Sequence, residues 1–275
     1  MKRFINLILI CCLILGATTL ASCNDKSTYG NILGVWWWDN RLDDSYLEYA
    51  VDNDVDEIYY YTSTFSESNN EFIKKANNNK IDVYWLCGDY RWIEDYSSFQ
   101  EKMNDFLDYQ NKNMSGKFEG VHLDVEPHQH EEFDSRREEL ILLYIDFLNK
   151  ATNDYPQVLF DADIPFWLED VVTYNGETKE AFKFVIDIVN RVFVMSYRDS
   201  AEQILNVGSA ELEYANQNNK SIFLCVETGN EEDIVTFLEE GKNYMNEQIA
   251  LLEDLTKLKY NIAIHHIKTW RELKD

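Results

Sequence analysis

Eight short runs of apolar, β-branched or aromatic residues recur along this chain of 275 residues, at 32–38, 57–62, 81–87, 120–126, 158–164, 192–197, 221–227 and 262–266. Helix-like patterns lie between them, for example over 98–111, 131–152 and 231–258. Strands alternating with helices build parallel βαβ units. Eight such units within one domain of ordinary size predict an α/β chain folded as a closed (β/α)8 TIM barrel over residues 32–275. A doubly wound open sheet is the competing arrangement, but no glycine-rich phosphate loop follows the first strand.

The residues before the first strand carry an address. Lys2 and Arg3 precede an apolar run from Phe4 to Leu15, and Leu20-Ala21-Ser22-Cys23 follows. A positive start, a short apolar stretch and small residues before a cut describe a secretory signal over 1–22. Leu-Ala-Ser-Cys also resembles the lipobox of bacterial lipoproteins, which implies that Cys23 is diacylated and becomes the new N-terminus. Two acyl chains anchor stably, so the expected location is the outer face of a cell membrane, with residues 23–31 as a polar tether. The formal charge of −25 becomes more negative by two when Lys2 and Arg3 leave. Such a surface argues against nucleic acid and other polyanionic partners. Of the 5 cysteines, Cys87 and Cys225 remain in the expected barrel, as buried free thiols. A monomer is expected.

The fourth run holds the densest chemistry. In Phe118-Glu119-Gly120-Val121-His122-Leu123-Asp124-Val125-Glu126-Pro127-His128, the apolar Val121, Leu123 and Val125 alternate with the ionisable His122, Asp124 and Glu126. Strand side chains have a period of two, so the ionisable set shares one face. Burying it is costly unless the groups are paired or used. Further acids fall near strand ends, where barrel active sites form: Asp39, Asp89, the pair Asp161/Asp163, and Glu227. Asp39 and Asp89 can equally be helix N-caps. Close carboxylates raise at least one pKa, which keeps a general acid protonated near neutral pH. All 7 tryptophans lie on an expected strand or just beyond one: Trp36, Trp37, Trp38, Trp85, Trp92, Trp167 and Trp270. They suit either barrel core or a mouth that stacks on sugar rings.

The segment 119–126 is similar to the fourth-strand signature of family 18 glycoside hydrolases, the chitinase-like barrels, which reads Asp-Gly-x-Asp-x-Asp-x-Glu. The resemblance implies hydrolysis of a β-linked N-acetylamino-sugar glycan without a cofactor. It implies Glu126 as proton donor and Asp124 as the acid that orients the acetamido group and stabilises the intermediate. Met195-Ser196-Tyr197-Arg198-Asp199 looks like the family's sixth-strand Met-x-Tyr-Asp segment, with Tyr197 facing the reacting sugar, and Trp270 resembles the tryptophan that floors the site. The departures are Glu119 and His122 in place of two aspartates, and Arg198 where Asp is expected. They alter the proton relay behind the acid.

A second glycosidase reading pairs Glu126 with Glu227 at the end of strand seven, as acid/base and nucleophile of a retaining enzyme. Either reading leaves Trp36, Trp38, Asp39, Trp85, Asp161, Asp163, Arg198, His265 and Trp270 as candidate substrate contacts. Two other classes stay open. One is a metal-dependent hydrolase using His122, Asp124, Glu126 and His128. The other is a carbohydrate-binding surface lipoprotein without turnover.

Overall fold

The computed structural model describes residues 31–275, so the expected signal, Cys23 and most of the tether lie outside the described residues. Eight parallel strands close into a barrel: β1 (Leu33–Trp37), β2 (Glu57–Tyr61), β3 (Asp82–Cys87), β4 (Val121–Leu123), β5 (Phe160–Pro165), β8 (Arg191–Met195), β9 (Ser221–Glu227) and β10 (Asn261–His265). β1 closes the ring against β10, with Val35 opposite Ile264. The helices are α1 (Asp44–Asp52), α2 (Glu67–Asn78), α3 (Tyr96–Lys112), α4 (Phe133–Asp154), α5 (Ala181–Ile188), α6 (Ala201–Val207), α7 (Ser209–Gln217), α8 (Lys242–Leu255) and α9 (Ile267–Glu272). The expected (β/α)8 TIM barrel is the fold observed.

Period-two alternation divides the strand residues between two cores. Val35, Trp37, Ile58, Val83, Trp85, Val121, Leu123, Val192 and Leu224 face the helices in the larger one. Trp36, Tyr59, Tyr84, Leu86, Phe193, Phe223, Cys225 and Ala263 fill the lumen, with Trp38, Tyr61 and Tyr197 partly buried above them. The lumen is therefore packed, and its chemistry is confined to layers within and above that packing. Cys87 and Cys225 are buried free thiols, as expected.

Two elements differ from the sequence reading. A short antiparallel hairpin, β6 (Val171–Tyr174) with β7 (Glu177–Glu180), is inserted after β5. Its turn, Asn175-Gly176, has φ of 50° and 85°, the conformation that Asn-Gly supplies in two-residue hairpins. The helix expected over 231–258 begins only at Lys242. Gly241 has φ 88°, which ends any earlier helix, and a side chain there would collide with the carbonyl of Lys274. Residues 228–241 instead fold back, with Thr236 bridging to Glu227. Among the described residues, no helix is long and apolar enough to cross a membrane.

One buried acid makes stability depend on pH. Glu211 on α7 is wholly buried, and neither carboxylate oxygen has a hydrogen-bond partner. Burial pushes its pKa from 4.5 up to about 7. The folded state then holds this proton more tightly than the unfolded chain, so stability falls as pH rises from about 4.5 to 7. The loss is roughly 3 kcal/mol above that window. Glu211→Gln is expected to flatten this part of the profile, measured by urea unfolding at pH 5 and pH 8. An unchanged slope would show that Glu211 does not titrate there.

Candidate active site

A buried ionic layer lies at the lower end of the lumen. Arg191 opens β8 and makes a two-bond fork to Asp161, at 2.9 and 2.6 Å, and reaches both oxygens of Glu57 at 2.7 and 2.9 Å. Tyr59 donates its hydroxyl to Glu57 at 2.8 Å. The pair Asp161/Asp163 is therefore split between two levels, and Asp161 belongs to this layer rather than to the mouth. Sequence reasoning missed Glu57 and Arg191. Their signal was a charged residue of each sign at the start of a strand otherwise made of apolar and aromatic residues.

His122 links this layer to the one above. Its ring is stacked on Tyr59 at 4.4 Å and edge-on to Phe193 at 4.5 Å. Nε2 is 2.9 Å from Asp163 Oδ2, and Nδ1 faces Asp161 Oδ2 at 4.0 Å. Burial lowers its pKa from 6.5 to about 3, so the imidazole is neutral. Trp36 packs edge-on against the same ring, at 5.5 Å, and is itself buried in the lumen. It is a support under the site and has no exposed face for a sugar.

Asp124 and Glu126 extend past the short β4. Asp124 donates its backbone N–H to the carbonyl of Cys87 at 2.9 Å. Gly88 makes that approach possible, because a side chain there would collide with the Asp124 carbonyl. Asp124 is half-buried, and burial followed by the charges of Asp163 and Glu126 holds its pKa well above the usual carboxylate range. Burial and Glu126 do the same to Asp163. Glu126 keeps 16% of its side chain exposed and lies 3.6 Å from His128 Nε2. Gln129 donates to its other oxygen from the next turn. No lysine or arginine among the described residues pairs with Asp124, Glu126 or Asp163. Three acids thus meet at the C-terminal end of the barrel with raised proton affinity at two of them.

Glu227 and His265 complete the mouth from β9 and β10, 2.6 Å apart. Tyr197 is half-buried beside them, its ring 6.0 Å from that of His265. Burial first, then Cys225, Glu227, Asp163 and Asp124, raises its hydroxyl pKa well above 10.0. Trp38 reaches the same cluster through its indole nitrogen, 2.9 Å from His265 Nε2.

The remaining candidates lie elsewhere. Trp85 points outward, stacked on Phe106 of α3 at 5.3 Å, because it shares the outward phase of Val83 and Cys87. Trp270 sits on α9 beyond the strand and is buried edge-on against Tyr49 of α1 at 5.2 Å, so it does not floor the lumen. Arg198 donates to the carbonyl of Tyr197 and lies 4.6 Å over Phe166, and forms no ion pair with the acids. Asp89 accepts from the backbone of Arg91 and caps the helical turn Tyr90–Ile93, whereas Asp39 accepts from the backbone of Arg41 without capping a helix, since the N-cap of α1 is Asp43. Trp167, one of the seven strand-end tryptophans but not among the expected substrate contacts, stands half-buried at the rim, edge-on to His128 at 5.1 Å. Arg137, paired with Asp170, covers its ring at 5.0 Å.

The four residues of the metal alternative do not gather round one point. His122 is held inside the lumen by Asp163, while His128 lies on the rim against Trp167. Among the described residues no group of three or more His, Cys, Asp or Glu has the arrangement of a metal site.

No family profile matches the sequence, and no curated protein shows significant similarity to it. Solved structures share its barrel. The glycoside hydrolase domain of PelA from Pseudomonas aeruginosa superposes with TM-score 0.54 at 12% identity, over 88% of this chain and 97% of that one. The spore cortex-lytic enzyme SleL of Bacillus megaterium gives 0.52 at 13%, over 88% and 73%. A chitinase from Rhizomucor miehei gives 0.52 at 12%, over 84% and 93%. The chain spans about half, 51%, of the length of the matching SleL of Bacillus cereus. At these identities the likeness is one of fold: a closed (β/α)8 barrel.

Proposed function

We propose that this chain is a glycoside hydrolase acting on a β-linked N-acetylamino-sugar glycan, with Glu126 as general acid/base. The observation that carries the reading is the meeting of Glu126, Asp124 and Asp163 at the C-terminal mouth, beside half-buried aromatic rings and with no lysine or arginine among the described residues paired to them. Asp124 and Asp163, both raised in proton affinity by burial and by neighbouring carboxylate charge, are the acids against which Glu126 is set, at the strand end where a general acid would meet a glycosidic oxygen. The neighbours include a chitinase and a spore cortex-lytic enzyme, which makes amino-sugar polymers the first substrates to try. The Leu20-Ala21-Ser22-Cys23 segment supports action outside the cell, with the protein held to the membrane by lipid on Cys23.

In this mechanism Glu126 gives its proton to the glycosidic oxygen as the bond from that oxygen to C1 breaks. The acetamido carbonyl oxygen of the same sugar bonds to C1, forming a cationic ring whose charge favours the ionised form of the neighbouring Asp124, which then balances it. Water then attacks C1 as the bond from C1 to the acetamido oxygen breaks, which restores the acetamide, and the water's proton returns to Glu126. Substrate-assisted cleavage is favoured over a Glu227 nucleophile because both Glu227 oxygens are committed. Oε1 accepts from the backbone of Thr228 and Gly229, and Oε2 faces His265.

Two variants test this choice. Asn at position 124 can hydrogen-bond the acetamido group but cannot balance the cation, so Asp124→Asn should lose about 10²–10³ in kcat. Glu227→Gln should keep most of its kcat and lose mainly in KM. Initial rates on N-acetylated oligosaccharides decide the matter; the opposite ranking would assign the nucleophile to Glu227.

A further inference from the structure

Glu227 and His265 stand opposite each other in register at the ends of β9 and β10. Glu227 Oε1 is fixed by two backbone N–H groups, at 2.8 Å from Thr228 and 2.6 Å from Gly229. Its Oε2 lies 2.6 Å from His265 Nδ1. On the far side of the imidazole, Nε2 is 2.9 Å from the indole nitrogen of Trp38. An indole N–H can only donate. Nε2 is therefore a bare acceptor, and the ring's one proton is on Nδ1, donated to Glu227. Donors at both ends of the chain force this arrangement: backbone N–H at Glu227 and indole N–H at His265.

The ring at the end of this chain is well placed. Trp38 is half-buried, tilted against Tyr61 at 5.7 Å, and caps the lumen aromatics together with Tyr61 and Tyr197. Trp36 packs edge-on against both His265, at 5.8 Å, and His122, at 5.5 Å, and His122 is bonded to Asp163, so the chain ends beside the acids of the mouth.

We propose that the Glu227–His265 pair is a positioning device that holds Trp38 as the stacking platform for a pyranose ring lying over Asp124 and Glu126. This rests on the glycosidase reading above and adds which aromatic carries the sugar and what orients it. A flat indole offers large contact area to the apolar face of a sugar, and only a fixed ring offers it without an ordering cost.

The device also carries a pH dependence. A second proton on His265 would set N–H against N–H and break the bond to Trp38. The titratable groups facing His265 are Glu227 from β9, Tyr197 beyond β8, Asp124 beyond β4, Asp163 from β5 and His266 next in the chain. Burial opposes its charge, but the bond to Glu227 and the two aspartates outweigh that and raise its pKa above 6.5. The platform is held above that raised pKa and released as pH falls through it.

The test uses Glu126→Gln protein, which binds without cleaving, and the N-acetylglucosamine tetramer as probe, followed by tryptophan fluorescence. Glutamine at 265 can accept from the indole and donate to Glu227 without titrating. His265→Ala should weaken binding roughly tenfold or more, while His265→Gln stays within about threefold and loses the acid-side dependence. In ligand-free protein the Trp38 indole N–H resonance, assigned with Trp38→Phe, should move with pH and become constant in His265→Gln. A resonance indifferent to pH, or His265→Ala binding like the parent, would overturn the inference alone. So would His265→Gln abolishing turnover of the Glu126 enzyme with binding unchanged, since His265 would then transfer a proton. A titrating resonance in a protein that binds no glycan would overturn the platform together with the glycosidase reading.

Discussion

Arg191→Met is expected to lower the unfolding free energy by about 3–5 kcal/mol, because it removes one partner from a buried ion cluster and strands the others. Among the described residues Arg191 is the lysine or arginine that pairs with Glu57 and Asp161 in the lower lumen, and the side chains of those acids are 6% and 0% exposed. Burial works against the guanidinium charge, but the forks to Asp161 and Glu57 more than restore it, so the native cluster keeps its cation. Without it two carboxylates face each other around a neutral His122 in a packed interior. The triple variant Arg191→Met, Glu57→Gln, Asp161→Asn should recover much of the loss, since an uncharged cluster has nothing left unpaired. Urea unfolding of the single and triple variants reads both effects. A loss below about 1 kcal/mol, the size of an exposed pair, would mean that water reaches this layer.

Glu126→Gln is expected to lower kcat on an unactivated glycan by about 10²–10⁴, the ordinary contribution of a positioned general acid. The loss should depend on the leaving group. An aryl glycoside departs as a stable phenolate and needs little proton transfer, so the variant should keep far more of its rate there. This contrast separates loss of the acid from loss of the fold, which would affect both substrates equally. Glu126 tolerates the change structurally, being partly exposed and held by Gln129 and His128 of its own turn.

The barrel was legible because parallel strands buried on both faces leave long apolar runs, and eight of them alternate with helices. Which tryptophans face the lumen was not. Trp36 and Trp85 both sit in apolar strands, and both sides of a barrel wall are apolar, so the phase of each strand is unmarked. Charged residues mark it: His122, Asp161 and Arg191 each name the lumen phase of their strand. Read that way, with Asp82 marking the lumen phase of β3, Trp85 is assigned outward together with Val83 and Cys87. The fourth-strand acids were found because their alternation with Val121, Leu123 and Val125 is unambiguous. The Glu227–His265–Trp38 chain was not, since it joins three strands through contacts that no spacing along the chain encodes. The Asn175-Gly176 hairpin carried a readable turn signal, but it fell between two barrel strands where a loop was already expected.

The most direct measurement is reducing-end release from a panel of β-linked N-acetylamino-sugar glycans by the parent protein and by Glu126→Gln. Release by the parent that collapses in the variant is the predicted result, and it would place the general acid at the tip of β4. Equal release by both would contradict the role of Glu126. No release from any glycan by the parent, in a protein that still binds them, would contradict catalysis itself and leave a carbohydrate-binding barrel.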